Sequence, residues 1–226
     1  MNWTFFQEYT PLYVEAGILT LRLAFLGIVG ATIVGFLCSF IRYYKIPILS
    51  QVVGGYIELS RNTPLLIQLF FLYFGLPKLG IVMTSEQCAC IGLIFLGGSY
   101  MAETFRSGLE SIPKIQTEAG ACIGLTNLQI LRYVIVPQAL AISLPSFSAN
   151  VIFLIKETSV FSAVALVDLM YVAKDLIGLY YETDEALLLL VISYLIILLP
   201  ISIIFSFIER RLRHAGFGNT SFISGK

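Results

Sequence analysis

Residues 106–140 read RSGLESIPKIQTEAGACIGLTNLQILRYVIVPQAL, and this stretch decides the fold. Pro113 is predicted to end the preceding helix, because proline cannot donate the backbone hydrogen bond that a helix interior needs. Residues 115–122 then predict a short helix. Gly124 is predicted to end that helix, since glycine takes the left-handed backbone of a helix C-terminus at little cost.

The second half of this stretch predicts another short helix and the start of a long apolar one. Thr126 or Asn127 can cap a helix that runs through Arg132, because a side-chain oxygen there accepts a hydrogen bond from a free backbone N–H. Pro137 lies near the first turn of the next apolar run, where proline is tolerated. The segment is therefore predicted to be a helix, a glycine turn and a second helix, held close to the membrane.

The first short helix carries Glu118 beside three small residues, Ala119, Gly120 and Ala121. Small side chains let another protein approach a helix closely. An ordinary amphipathic helix at the membrane surface is the alternative that the pattern alone leaves open.

The composition excludes a soluble globular enzyme. Of 226 residues, 58% are hydrophobic and 12% are charged, whereas soluble domains are about 45–50% apolar and about 25% charged. The formal net charge of +0 gives no indication of a nucleic-acid partner. The one histidine, His214, rules out a His-rich metal site, and no metal, cofactor or catalytic residue is expected in this chain. The four cysteines are too scattered for a disulfide framework, and Cys88 and Cys90 are interpreted as buried apolar side chains.

Five apolar stretches predict five membrane-spanning helices, each of which needs about 20 residues. They are residues 23–41 (reaching back to 17), 62–77, 87–102, 133–155 and 186–208. The second and third are short, and become long enough only if the charges beside them lie near the headgroups or inside a bundle. Residues 160–167 are too short to span alone, which leaves a lid, a broken helix or an interfacial turn.

The distribution of basic residues predicts the orientation. Ten lysines and arginines fall in one set of loops, against two or three in the other set. Because cytoplasmic loops carry the excess of positive charge, the N-terminus is predicted to be outside and the C-terminus cytoplasmic. The chain divides into an extracellular segment 1–16, a transmembrane domain 17–209 with a cytoplasmic loop at about 107–136, and a cytoplasmic tail 210–226.

The cytoplasmic loop resembles the EAA loop of permease subunits of binding-protein-dependent ABC importers. That pattern is E-A-A, three residues, G, nine residues and then I-x-L-P. Here Glu118, Ala119 and Gly120 are followed by Gly124 at the required spacing, and residues 134–137 read VIVP. Glycine replaces the third-position alanine, and valine replaces both isoleucine and leucine.

A second stretch resembles the polar amino-acid group of these permeases. Residues 56–77 read YIELSRNTPLLIQLFFLYFGLP, where that group usually has E-L-F-R-G-T-P-L-L-x-Q-L. Ser60 stands in place of the common Phe, and Asn62 in place of the common Gly. Residues 99–114 and 154–160 match the same group, so the resemblance covers about residues 17–209.

The resemblance implies an all-α polytopic membrane protein with about five transmembrane helices and the type I ABC importer (MetI-like) fold, in a bacterial cell membrane. It also implies three partners: an ATPase subunit dimer, a second permease chain (identical or paralogous) and an extracellular or periplasmic amino-acid-binding protein. ATP and Mg would be bound by the ATPase, since this chain has no G-x-x-x-x-G-K-[ST] phosphate loop. The residues implied in ATPase coupling are Glu118, Ala119, Gly120, Gly124 and Pro137.

Polar residues within apolar spans are the candidates for a substrate path, because lipid-facing helices have no need of them. They are Gln68, Ser99, Tyr100, Asn150, Lys156, Glu157 and Ser159. Glu157 could bind the ammonium group of an amino acid, and Lys156 or a hydroxyl its carboxylate. The alternative is that both charges mark the water-facing outer end of the fourth span. Glutamine is the first expected substrate, with cystine, arginine or another polar amino acid as alternatives.

Other polar residues have simpler interpretations. Arg61 is expected to anchor at the cytoplasmic headgroups or to pair with Glu58, and Arg22 to snorkel or to pair with a neighbouring span. Small residues at 27, 30, 31 and 35 predict a face for close helix packing.

Two other classes of protein remain as alternatives. A stand-alone secondary transporter often carries an internal inverted repeat, and none is visible here. A membrane enzyme would need a convergent catalytic set, which the sequence also lacks.

Overall fold

A computed structural model describes residues 3–214 of this chain, and the side chains of residues 3–212. The described residues form helices joined by short turns, which confirms the all-α fold class. The α-helices are α1 Trp3–Tyr43, α2 Leu49–Arg61, α3 Leu65–Phe70, α4 Ser85–Glu110, α5 Lys114–Cys122, α6 Asn127–Ile130, α7 Val136–Glu157, α8 Leu169–Tyr180 and α9 Thr183–His214. Most of the predicted C-terminal tail, residues 215–226, lies outside the described part.

Four helical segments are long and apolar enough to cross a membrane: Trp3–Tyr43, Ser85–Glu110, Asn127–Val164 and Thr183–Leu212. They correspond to the first, third, fourth and fifth predicted spans. The first is much longer than predicted, because its 41 residues give a helix about 60 Å long. Neither boundary expected from the sequence, at residue 17 or at residue 209, coincides with the end of a helix.

The second predicted span, residues 62–77, begins at a break in the helical structure, since α2 and α3 are separated at residues 62–64. Pro64 precedes α3 in an extended conformation, and its φ of −61° and ψ of 143° interrupt the helix. Ser60 and Tyr56 both donate hydrogen bonds to Phe95 O in the middle of α4. The end of α2 therefore lies beside the middle of α4, and the expectation that Arg61 anchors at the cytoplasmic headgroups stays a prediction.

The fourth span starts earlier than predicted. Helical structure is continuous from Asn127 to Val164, and within it Pro137 lies in the first turn of α7, as predicted. Residues 131–135 form a π-helical turn immediately before it. Such a turn changes the hydrogen-bond register at the point where proline removes a donor and would clash with the preceding turn.

The core is built around α4, which packs against α1 and α7. Gly27, Gly30 and Gly35 lie on α1 where it meets α4. A Cβ on Gly35 would lie only 2.8 Å from Ala102 N, so only glycine allows the two backbones to approach this closely. The predicted small-residue face of the first span is confirmed.

A separate apolar cluster joins the N-terminal third of α1 to α8 and α9. Between α7 and α8, residues 158–164 form a 3-10 helix, and the buried side chain of Asp168 caps α8 by accepting a hydrogen bond of 2.9 Å from Tyr171 N. The region that the sequence left undecided is thus an ordered turn and a short helix. Arg22, at the same end of the bundle, forms an ion pair with Glu86 at the start of α4, at 3.8 Å. This contact agrees with the prediction that Arg22 pairs with a neighbouring span.

Candidate functional site

A cavity of about 320 Å³ opens at the break between α2 and α3. Its lining comes from the break itself, from the middle of α4 and from the end of α7. The volume is at the small end of the range of about 300–1,000 Å³ that is typical of small-molecule sites. The polar and aromatic lining residues are Arg61, Asn62, Thr63, Tyr100, Phe153 and Glu157.

Opposite charges reach this cavity from different helices. The guanidinium carbon of Arg61 lies 5.1 Å from the centroid of the Tyr100 ring, which gives a cation–π contact between α2 and α4. Arg61 is therefore held by Tyr100 and does not form the ion pair with Glu58 that was considered from the sequence. Glu157 is half-buried at the end of α7 and has no ion-pair partner among the described residues.

Gln68 holds the broken helix together. Its side-chain amide donates to Ser60 O at 3.1 Å, to Thr63 O at 3.1 Å and to Thr63 Oγ1 at 3.0 Å. These bonds join the first turn of α3 to the end of α2, so Gln68 fixes the loop that carries Asn62 and Thr63. Gln68 supports the cavity and does not line it.

Only two of the seven residues proposed for a substrate path, Tyr100 and Glu157, line the cavity. Ser99 is completely buried and donates to Leu96 O at 2.7 Å within its own helix. Asn150 donates to Thr104 Oγ1 at 2.8 Å, which ties α7 to α4. Both side chains are thus satisfied by helix packing. Lys156 is exposed outside the cavity and Ser159 is half-buried outside it.

Sequence reasoning missed three of the polar lining residues, Arg61, Asn62 and Thr63. The signal that marks them is the sequence Asn62-Thr63-Pro64 inside an otherwise helical pattern, because a proline there predicts a break in the helix. Discontinuous membrane helices with their ends at mid-depth are a common source of binding groups in transporters.

The predicted surface loop has the local structure that its sequence indicated. Helix α5 ends at Gly124, whose φ of +85° is left-handed. Leu125 N donates to Gly120 O at 3.1 Å, and Gly124 N donates to Ala121 O at 3.0 Å. This pair of bonds is the Schellman motif. Thr126 then caps α6 in a capping box with Gln129.

The loop presents an exposed surface on α5 and α6. Glu118 and Ala119 are exposed, whereas Gly120 is buried against α6, where a Cβ would lie 2.9 Å from Ile130 Cγ1. This contact explains why glycine stands at the third position of the E-A-A pattern here. Four large apolar side chains are also exposed on the loop and the turn that follows it, as expected of a docking surface. They are Ile115, Ile123, Leu128 and Tyr133.

The last turns of α4, which lead into the loop, carry charged contacts within the helix itself. Arg106 pairs with Glu103 at 2.7 Å and with Glu110 at 2.7 Å. Pro137 is exposed on the same side of the protein, two residues beyond the π-helical turn.

Residues 27–214 match the sequence profile of one protein family, the inner membrane component of binding-protein-dependent transport systems. The glutamine transport system permease protein GlnP of Escherichia coli (strain K12) is 32% identical over 214 residues, covering 94% of this chain and 98% of that protein. The probable glutamine ABC transporter permease protein GlnP of Bacillus subtilis (strain 168) is 35% identical over 172 residues, covering 76% and 79%.

Two solved structures resemble this fold over nearly its whole length. A crystal structure of an amino acid ABC transporter with histidines matches with a TM-score of 0.86 and 30% identity, covering 93% of this chain and 99% of that one. The MetNI methionine ABC transporter in an inward facing conformation matches with a TM-score of 0.75, covering 94% and 99%. The identity in the second case is 22%, so that likeness shows the fold alone.

Proposed function

This chain belongs to the family of inner membrane components of binding-protein-dependent transport systems, and we propose that it is the permease subunit of an ATP-driven importer of polar amino acids. The observation that carries the proposal is the cavity at the α2–α3 break, in which a guanidinium and a carboxylate from different helices face the same space. Relatives named as glutamine permeases support the same substrate class.

The cavity is chemically suited to a free amino acid. Arg61 would bind the α-carboxylate, because a guanidinium matches the geometry of a carboxylate with two parallel hydrogen bonds. Glu157 would bind the α-ammonium group, and the ring of Tyr100 offers a further favourable surface to a cation. Asn62 and Thr63 would then contact the side chain of the substrate. One positive and one negative lining residue favour a substrate without net charge, so glutamine is the first candidate, with cystine, arginine or another polar amino acid as alternatives.

Transport would be driven by ATP hydrolysis on a partner subunit. The exposed face of α5, with Glu118 and Ala119 beside the apolar side chains of the loop, is the proposed contact with that ATPase. Gly120, Gly124 and Pro137 would shape this contact from within the chain. An ATPase dimer closing on two such loops would move the helices and expose the cavity to each side of the membrane in turn. The second loop belongs to a second permease chain, identical or paralogous.

The remaining parts of the proposal concern the membrane. The N-terminus would face outside, where an extracellular or periplasmic binding protein delivers the substrate, and the loop and C-terminus would face the cytoplasm. The excess of basic residues in the loops on the α5 side supports this orientation.

Substitution of the two charges tests the substrate site. Glu157→Gln and Arg61→Gln keep nearly the same shape, and each removes a charge-assisted hydrogen bond worth about 1.5–3 kcal/mol. We expect each variant to raise the KM for glutamine uptake by about tenfold or more, while the assembled complex retains its basal ATP hydrolysis.

Lys156→Gln is the matched control, because Lys156 is adjacent in sequence but lies outside the cavity. It should leave the KM within about twofold of the original. A KM that is unchanged in Glu157→Gln and Arg61→Gln, or raised equally in the control, would contradict the assignment of the cavity.

A further inference from the structure

A second cavity, of about 400 Å³, lies where the turn between α1 and α2 meets the last turns of α4. It is at the other end of α2 from the proposed substrate cavity. Its charged lining residues are Arg42, Lys45, Arg106 and Glu110. Nothing in the proposed transport function uses it.

Arg42 and Lys45 form no ion pair within 4.0 Å among the described residues, although the Glu103 carboxylate still interacts electrostatically with Arg42. Arg106 is paired with both Glu103 and Glu110 at 2.7 Å, so its charge is neutralised within α4. Arg42 instead donates to a neutral acceptor, Ser50 O, at 3.3 Å. That bond positions its guanidinium at the cavity without reducing its charge. Lys45 is exposed beside it and has no ion-pair partner within 4.0 Å among the described residues.

The backbone of the turn adds to this positive potential. Helix α2 begins at Leu49 without a side-chain cap and without an acidic residue in its first turn. The positive end of its dipole therefore lies near the cavity without a carboxylate from its own first turn, while its first N–H groups donate to backbone carbonyls. Lys45 and Ile48 have φ values of 50° and 66°, in the left-handed region that non-glycine residues rarely occupy. Strain of this kind persists where the surrounding structure holds it, and it clusters at ligand sites.

The rim of the cavity is apolar and exposed. Tyr44 is 54% exposed, Ile46 38% and Ile48 76%, although all are large hydrophobic side chains. The rim directly follows α1, a helix long and apolar enough to cross a membrane. A cationic cavity with an apolar rim matches one molecule that is anionic at one end and apolar at the other.

We propose that this cavity binds the phosphate group of an anionic phospholipid from the leaflet on the α5 side, with the acyl chains along Ile46 and Ile48. Arg42 and Lys45 bind the phosphate oxygens. Free inorganic phosphate shares the recognised chemistry, but it would leave the apolar rim in water. The proposal does not depend on which amino acid is transported.

Native mass spectrometry of the purified complex tests this proposal. After delipidation, the complex is titrated with equal amounts of phosphatidylglycerol and phosphatidylcholine, and the ratio of the two bound lipids is measured. We expect the original protein to retain phosphatidylglycerol preferentially. In the double variant Arg42→Gln/Lys45→Gln the ratio should fall at least about tenfold, because the loss of even one charge-assisted hydrogen bond to the phosphate costs about tenfold or more.

The double variant Arg210→Gln/Arg211→Gln is the matched control. It removes the same charge from an exposed part of α9, where the guanidinium of Arg211 rests on the Phe207 ring. It should change the lipid ratio by less than about twofold if the effect belongs to the cavity. An equal loss in both double variants would show a general effect of net charge and would overturn the proposal.

Two further arms keep the test decisive. Gln51→Glu adds a negative charge to the lining while both cations remain, and it too should lower the ratio of bound lipids. This variant gives a second test in case the double variant does not fold. Inorganic phosphate at millimolar concentration should not release bound phosphatidylglycerol. Release by phosphate, or an unchanged ratio in Gln51→Glu, would contradict a lipid site.

Discussion

The Gly124 turn allows the coupling role of the loop to be tested with a change of one methyl group. Gly124 has a φ of +85°, and a Cβ there would meet no atom within 4 Å. The cost of Gly124→Ala is therefore conformational and not steric, about 1–2 kcal/mol for a left-handed alanine. That cost lowers the equilibrium population of the turn by about five- to thirtyfold. Gly124→Val should cost more, since a β-branched side chain fits this region worse.

The assay compares three quantities in membranes: the amount of inserted chain, the amount of ATPase that copurifies with it, and the rate of amino-acid uptake. We expect Gly124→Ala to reduce copurification and uptake together, and Gly124→Val to abolish uptake, at a normal level of insertion. Gly55→Ala and Gly178→Ala are matched controls. Both glycines also face open space but lie in helices with ordinary φ, where alanine costs nothing.

Uptake and ATPase binding that remain at the original level in both Gly124 variants would refute this reasoning. So would an equal loss in Gly55→Ala, since that result would place the sensitivity outside the turn.

Three further predictions concern the scaffold. Gly35→Ala should lower the free energy of unfolding by about 1–3 kcal/mol, because its Cβ would meet the backbone N of Ala102, and a lower melting temperature in detergent would show this. Gln68→Leu should loosen the α2–α3 break and raise the KM for substrate at normal expression, whereas an unchanged KM would contradict the supporting role of the amide. Burial raises the pKa of Asp168 to about 6, so the folded protein binds a proton more tightly than the unfolded chain, and stability should fall as pH rises from about 4 through 6. Asp168→Asn keeps the helix cap and should flatten this dependence of the melting temperature on pH, while an unchanged slope would contradict the role of Asp168.

The loop could be predicted almost residue by residue because its signals are local. Gly124 ends α5 and Thr126 caps α6 for reasons that concern only the nearest few residues. The same holds for the small-residue face of α1, since a face that must meet another backbone carries glycine at regular spacing.

The candidate site was less predictable, because it depends on where the break between α2 and α3 lies relative to α4 and α7. Spans located by gaps between charges place every charged residue at an end, so Arg61 was assigned to the headgroups. In the structure the exposed side chain of Arg61 lies against the Tyr100 ring of α4, beside the cavity. Ser99 and Asn150 are candidates because they are polar, but Ser99 donates to its own helix and Asn150 to the neighbouring α4. Residue type alone does not show whether a polar side chain faces a cavity or forms a hydrogen bond within the helix bundle.

Uptake into proteoliposomes tests the central claim most directly. The complex isolated through this chain is reconstituted with its copurifying subunits, and glutamine uptake is measured with ATP on the ATPase side, and then with only a proton or sodium gradient. The account predicts uptake that requires ATP and the copurified ATPase, and that falls in Glu157→Gln. Uptake by this chain alone, driven by an ion gradient and indifferent to ATP, would contradict it and would identify a secondary transporter instead.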